Sequence, residues 1–385
     1  MLLFLINPVC LEIVPGQQIL TGTGKVVIFT ADIAWQAGES YNYTITRNIV
    51  ALNGARLIAS INGTFKGFMP SIVAKVDGID VHDTLALDEH AYLLDEDRLR
   101  SLDLTDLSQI TEGKAINIGP QANKLEYGTV EQNSSLFLTS GGLNNYGQLS
   151  IVTLNNPLEP VLKQQVSLST PEGASVVNGA SPNPGIPEAL TVIDGSVVLA
   201  NSPIALQRVT LIDGLPATVS TSDLATGAFS GVASNDDWLI STSSDGIQTH
   251  DLSTLASVSL QTLESTILDL KVADVGGRQL ALLAAGFTGG LQVFEIQDDG
   301  ILEHFATVLP ACSVTRVVVD EILERAWLAC SDQTLRSIDL KHIEGLTKID
   351  ANNDGVDDRL SGKIALDVPI RSLALDASRS LVLVG

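Results

Sequence analysis

Basic residues are scarce in this sequence: 22 Lys and Arg stand against 45 Asp and Glu, a formal net charge of −23. Such a chain repels nucleic-acid phosphate, which excludes DNA or RNA binding. Cysteine occurs three times, with no C-x-x-C and no Cys/His cluster, so a structural zinc site is excluded. No segment reaches ~18 continuous apolar residues, which leaves no membrane span. The G-x-S-x-G elbow, the H-E-x-x-H helix and the phosphate-binding loop are all missing. Aromatic residues are only 4%, few for the anchors of a high-affinity interface. What remains is apolar and small: 45% hydrophobic, 32 Gly and 17% charged. A chain of this kind buries a large core and is not disordered.

The opening MLLFLINPVC is apolar but lacks a preceding basic residue, and Val9 before Cys10 suits a lipoprotein site poorly. We read it as part of a fragment whose true start lies upstream. Strand-like runs follow at Lys25–Ala31 and Ser40–Val50, the latter alternating Tyr41, Tyr43 and Ile45 against polar residues. Asn53-Gly54 is a hairpin signal, and Phe65 sits in a last short strand. This order, VVIFTADIAWQAGESYNYTITRNIVALNGARL and then GTFKG, resembles the second half of bacterial Ig-like domains of surface-layer and adhesin type. Gly38, Tyr41, Gly54, Leu57 and Phe65 stand at that family's marked positions. The resemblance implies a partial Ig-like β-domain over 1–68 that serves as a spacer.

From about residue 70 one pattern recurs. A strand of the form L-x-x-φ-D-L appears at Leu99, Leu149, Leu206, Ile247, Leu291 and Leu335, each preceded by a partner strand such as AYLLD at Ala91 or AWLACSD at Ala326. The later copies stand about 40–45 residues apart and the earlier ones about 50–57, near the length of one propeller blade. The longer gaps hold loops, among them the Pro-rich NGASPNPGIPEA at Asn178–Ala189. The chain end, IRSLALDASRSLVLVG, repeats an inner strand, a turn and a second strand, while SIVAKVD at Ser71–Asp77 reads as an orphan outer strand. Together they predict a closing blade shared by both ends. The expected fold is therefore all-β: a β-propeller over 70–385 of about seven blades, the last incomplete, behind the partial Ig-like domain. A β-sandwich array is the rival. The units resemble LVIVD-type propeller repeats of bacterial secreted proteins, which implies an interaction scaffold more readily than an enzyme.

One segment carries chemistry. Asp350-Ala-Asn352-Asn-Asp354-Gly-Val356-Asp-Asp358 places oxygen donors at positions 1, 3 and 5, a Gly at 6, a carbonyl at 7 and a further oxygen at 9. That spacing folds a loop around one hard cation, and it predicts calcium held by Asp350, Asn352, Asp354, the Val356 carbonyl and Asp358. Ser361 replaces the bidentate Glu of an EF-hand and no flanking helices are evident. The segment accordingly resembles loops of thrombospondin and dockerin type, with a neighbour such as Asp357 adding a ligand. The alternative is a polar turn between two strands.

Other residues read as structural. His82, His90, His250, His304 and His342 are scattered; Trp35, Trp238 and Trp327 belong to cores; Asp95-Glu96-Asp97, Asp236-Asp237 and Asp298-Asp299-Gly300 are hairpin turns. Cys312 and Cys330 flank a hairpin slightly out of register and read as two buried thiols, with a disulfide as the alternative. Asn42, Asn62 and Asn133 begin N-x-S/T triplets, which matter only in a eukaryotic secretory host. The expected function is a non-enzymatic extracellular or cell-surface module, bacterial, binding a protein or glycan through a propeller face. The runner-up is a propeller hydrolase or lactonase working through carboxylates of the central channel, and a third reading is a pure spacer.

Overall fold

The computed structural model describes residues 2–6, 12–13, 16–20, 27–31, 40–45, 59–66, 71–130, 133–142, 145–168, 186–193, 195–202, 205–212, 215–221, 229–341, 343–348, 357 and 359–385. The fold is all-β, a propeller of six blades preceded by two small sheets. Before residue 70, one sheet orders Glu12–Ile13, Leu2–Ile6, Ser40–Ile45 and Ile61–Lys66, and Gly16–Leu20 pairs with Val27–Ala31. The apolar start is thus a strand, antiparallel to Ser40–Ile45. Tyr43 faces Gly63 across the ladder, and its ring fills the place a Cβ would take there. Asn53-Gly54, Cys10 and Trp35 lie outside the described residues.

The six blades are antiparallel sheets in plain chain order. The first holds Val81–Leu87, His90–Asp95 and Arg98–Asp103, edged by the two-residue strands Thr111–Glu112 and Ile116–Asn117. The second runs Ala122–Val130, Asn133–Gly142, Asn145–Thr153 and Val161–Ser167. The third runs Ile186–Ile193, Ser196–Ser202, Ala205–Ile212 and Leu215–Thr221. The fourth runs Phe229–Ser234, Trp238–Ser243, Gly246–Asp251 and Ser257–Thr262. The fifth holds Asp269–Val275, Arg278–Ala284, Leu291–Ile296 and Leu302–Val308, with a single helical turn, Gly286–Gly289, between its second and third strands. The sixth holds Val314–Asp320, Arg325–Cys330, Thr334–Asp339 and Leu360–Ala365.

Second strands are buried on both faces, as in His90–Asp95 and Trp238–Ser243, and their sequences are near-continuous apolar or small residues for that reason. The fourth strand Val161–Ser167 alternates, because one face meets water. The six leading residues of the recurring signature, Leu99 to Leu335, are all buried, and so are all six residues at its φ position: Leu102, Val152, Val209, His250, Phe294 and Ile338. The Asp of the signature has a separate task. Asp103, Asp251 and Asp339 each accept the backbone N–H two residues on, at 2.9, 3.0 and 2.9 Å, and so start the turn to the fourth strand.

The expectation of about seven blades is corrected to six. At the closing position stands only a hairpin, Leu373–Asp376 paired with Leu381–Val384. Its first strand packs between the first strands of the sixth and first blades, which completes the ring. Its apolar side chains join two cores: Leu373, Leu375 and Val382 pack with Val318 and Trp327 of the sixth blade, and Leu383 packs with Ala91 and Leu93 of the first. Arg379 then binds the Leu104 and Asp88 carbonyls of the first blade at 2.7 and 3.2 Å. Ser71–Asp77 is not a strand, and Ile72 and Val73 are each 62% exposed. The reason is geometric: an outer strand pairs with a third strand, and the described hairpin presents none.

Cys312 and Cys330 are disulfide-bonded across 5.7 Å between Cα atoms. This corrects the reading of two thiols. The ladder sets Cys330 opposite Val314 just beyond a bulge between Val314 and Arg316, and Cys312, two residues before Val314, reaches Cys330 from the chain entering the strand.

The turn-starting aspartates make a pH prediction. The Ser253 and Thr254 hydroxyls and amides hold the Asp251 carboxyl at about 2. Its folded pKa lies below the unfolded one, so its stabilisation is present above about pH 4 and fades as pH falls toward 2. Asp251→Ala should lower the calorimetric melting temperature at pH 7 and change it far less at pH 2.

Candidate functional site

The third and fourth strands of the sixth blade are joined by 340–359, the connection that carries the predicted cation loop. Asp350, Asn352, Asp354, Val356 and Asp358 all lie outside the described residues, but both stems of the loop are described. On the incoming side Leu340 and Ile343 are buried, and Gly345, at φ +118, bridges to the outer strand of the fifth blade. Its carbonyl accepts the Thr307 N–H at 3.0 Å and its N–H donates to the Phe305 carbonyl at 3.3 Å. A residue with a Cβ is strained at that φ, and glycine removes the strain.

On the outgoing side stands a buried ion pair. Arg359 and Asp357 have side chains 3% and 0% exposed. Arg359 Nε donates to Asp357 Oδ1 at 2.8 Å and Nη2 to Oδ2 at 2.6 Å. Nη1 donates to the Ile343 and Gly345 carbonyls at 3.0 and 2.9 Å, and Nη2 to those of Thr307 and Thr347 at 2.8 and 3.1 Å. All five N–H donors of the guanidinium are used, which is what a buried arginine requires. Asp357 is therefore not a spare calcium ligand, as the sequence reading had it; both of its oxygens serve Arg359. Arg359 thus ties the described residues on either side of the connection to each other and to the fifth blade.

A second cluster lines the ring. First strands carry charged residues alternating with apolar ones: Asp83 in the first blade, Lys124 and Glu126 in the second, Glu188 in the third, Asp269 and Lys271 in the fifth, Arg316 in the sixth. Two of the carboxylates latch the next blade: Asp83 Oδ2 accepts the Leu125 N–H at 2.9 Å and Asp269 Oδ2 the Val317 N–H at 3.0 Å. Glu126 and Lys271 feel each other across the ring. Burial pushes the Glu126 carboxyl up, with Asp83 adding to the rise, against the pull of Lys271 and Lys124. Burial works to lower the Lys271 ammonium, but Glu126, Asp269 and Asp83 outweigh it and hold the group above the ordinary lysine value. Glu188 is also raised by burial, opposed by Lys124 and Arg316. Asp83 and Asp269 are thus each met by a backbone amide, while Glu126 and Glu188 stand in the field of Lys271, Lys124 and Arg316.

The remaining candidates are structural. His250 fills the φ slot of its blade; its Nε2 lies 2.7 Å from the Ser241 hydroxyl and its Nδ1 3.2 Å from the Leu255 carbonyl. Burial lowers its pKa. His304 stacks on Phe294 at 4.7 Å. His342 lies outside the described residues. Trp327 is buried with the sixth-blade core, and Trp238 packs in the apolar core between the fourth and fifth blades. The glutamate and aspartates at 95–97, 236–237 and 298–299 fall in turns, bends or strand ends, as read from sequence. Cys312, Cys330 and Asp332 bring ligand atoms together, but the sulfurs are bonded to each other and Asp332 is held by Arg336 and Thr334. Among the described residues no helix is long and apolar enough to cross a membrane.

Sequence reasoning missed the channel charges and Arg359. The first had a signal: charge alternating with apolar residues in K-L-E-Y, D-L-K-V and T-R-V-V. The second had none, because four of its partners are backbone carbonyls, in two segments distant in sequence from one another.

No family model matches the chain, and no curated protein matches it. Among solved structures, Raptor of Chaetomium thermophilum superimposes with a TM-score of 0.59 at 10% sequence identity, over 80% of this chain and 27% of that one. The chain thus spans about a quarter of that protein's length. At this identity the likeness is one of fold, and propeller folds commonly bind proteins.

The Glu126–Lys271 interaction is measurable. In a double-mutant cycle of Glu126→Gln and Lys271→Met, urea melts should return a coupling of about 0.5–3 kcal/mol. A coupling of zero would show that the two charges do not meet across the ring.

Proposed function

We propose that this chain is a non-enzymatic, extracellular or cell-surface module of bacterial type, whose propeller binds a protein or glycan. One observation supports the reading: among the described first-strand carboxylates, Asp83 and Asp269 hold backbone amides of the next blade, a structural task that joins units of the ring. The Cys312–Cys330 bond supports the compartment, since structural disulfides persist in oxidising surroundings. The strands before residue 70 serve as an Ig-like spacer, and the propeller repeats are of LVIVD type.

The second part of the proposal is a structural calcium ion held by Asp350, Asn352, Asp354, the Val356 carbonyl and Asp358. The donor spacing supports it. Calcium should raise the melting temperature of the wild-type chain, and Asp354→Ala should remove the rise. Identical melts in calcium and in chelator would end the assignment.

The competing hydrolase reading draws on Glu126, a channel carboxyl raised by burial as a general acid would be. A panel of chromogenic esters, lactones and glycosides separates the two. The scaffold reading expects no turnover above background. Turnover that disappears in Glu126→Gln would replace it with the enzyme.

A further inference from the structure

The geometry points to the closing hairpin as a strand acceptor: an extended segment of a protein partner, patterned like this chain's own third strands, pairs with the outer edge of Leu381–Val384. This rests on the scaffold reading above and gives the partner a form. Second strands are otherwise buried, as in His90–Asp95 and Arg325–Cys330. In the hairpin Leu381, Val382 and Leu383 are only half-buried and Val384 is 37% exposed, although all four are apolar. The strand also lacks the charge, proline or bulge that guards a free edge. Gly385 exchanges both backbone bonds with Ser372. Antiparallel pairs alternate from there, so the N–H and C=O groups of Val382 and Val384 point away from Leu373–Asp376. Among the described residues no strand pairs with them.

Ser71–Asp77 fixes the width of the vacancy. It enters the first strand of the first blade, Val81–Leu87, through 78–80, as fourth strands elsewhere enter the next first strand through 263–268 and 309–313. Its end lies with the end of Leu381–Val384. A Cβ on Gly385 would stand 2.6 Å from Val81, and Arg371, whose backbone N–H donates to the Gly385 carbonyl, pairs with Asp80 at 2.6 Å. Both segments therefore run toward the same end of the sheet, as second and fourth strands do in an alternating blade, and one antiparallel strand belongs between them. In the six blades that strand has a buried residue at its head and another at the φ position. The occupant is accordingly an uncharged or basic segment of that pattern, because a chain of net charge −23 repels an acidic strand and a second copy of itself. Main-chain bonds supply its affinity and the two buried side chains its selectivity.

The probe is a fluorescein-labelled peptide of the sixth blade's third strand, QTLRSIDLK (333–341), titrated by anisotropy against the full chain. It should bind saturably where a scrambled peptide does not. Val384→Pro removes an outward N–H that the hairpin does not use, so it should leave the circular dichroism unchanged and weaken the peptide about fivefold or more. Added peptide should slow hydrogen exchange, followed by mass spectrometry, at 382–384 and at 71–77, the latter because the arriving strand gives Ser71–Asp77 a ladder. No saturable binding, or equal affinity in folded Val384→Pro and wild type, overturns the inference. So does slow exchange at 382–384 before peptide is added, which would show the edge already filled. A dimer in ultracentrifugation that Val384→Pro dissociates also overturns it, assigning the edge to a second copy. Should Val384→Pro fail to fold, the same peptide with Ser337→Pro carries the comparison on the wild-type chain: weaker binding supports the added strand and equal binding overturns it. Turnover in the substrate panel would end the scaffold reading and leave the peptide result standing.

Discussion

A four-stranded blade has two apolar faces and no interior of its own, and everything else in this propeller follows from the need to cover both. The apolar clusters show it. None lies wholly inside one sheet's two-dimensional ladder; each sits in a seam, joining the second and third strands of one unit to the first strands of the next. Ile151 and Leu149 meet Leu190 and Val197, Val198 and Leu206 meet Phe229 and Val232, and Val293 and Ala306 meet Val314 and Val317. At roughly 25 cal/mol per Å² of apolar surface buried, stability is spread round the ring in similar shares. A ring that did not close would leave one such share exposed on each terminal blade. The hairpin of Leu373–Asp376 and Leu381–Val384 prevents this with two strands, whose apolar side chains enter the cores of both flanking blades.

Apolar contact alone does not set the angle between blades, and here the polar groups at the seams add direction. Arginine recurs there. Arg208 reaches the Leu252 and Ser253 carbonyls, Arg316 the Leu268 carbonyl, Arg359 the Thr307 carbonyl and Arg379 the Leu104 carbonyl, each in a neighbouring unit. A guanidinium suits this task because its donors fan out in one plane and remain charged at any working pH. The carboxylates of Asp83 and Asp269 do the complementary work, accepting a backbone N–H from the next first strand.

The features legible in the sequence are those that physics imposes on every blade alike. A leucine at the head of the third strand is buried in blade after blade, so it recurs, and the recurrence located all six third strands. The Asp that starts the outer turn recurs for the same reason. His250 escaped the pattern only in chemistry: it occupies an apolar slot because the Ser241 hydroxyl and the Leu255 carbonyl satisfy its two nitrogens. Features made once were not legible. The disulfide joins Cys330 to a cysteine outside the ladder, two residues before its paired Val314, a reach that register alone does not give. Ser71–Asp77 has the alternation of a strand, yet alternation creates no ladder when no third strand is there to pair with. The spacing of oxygens at 350–358 was legible, whereas the Arg359 contacts depend on four carbonyls that any residue type would supply.

Charge distribution links these levels. With 45 acidic residues against 22 basic ones, a cation has many carboxylates to choose among at the surface, where an ion pair contributes little. The described basic groups with the most structural consequence are elsewhere. Lys124, Lys271 and Arg316 face the carboxylates of the ring's first strands, and Arg359 is buried against Asp357. Because carboxylates go inside with these cations, the outer face keeps almost all of the net negative charge, a field that draws small cations and turns polyanions away.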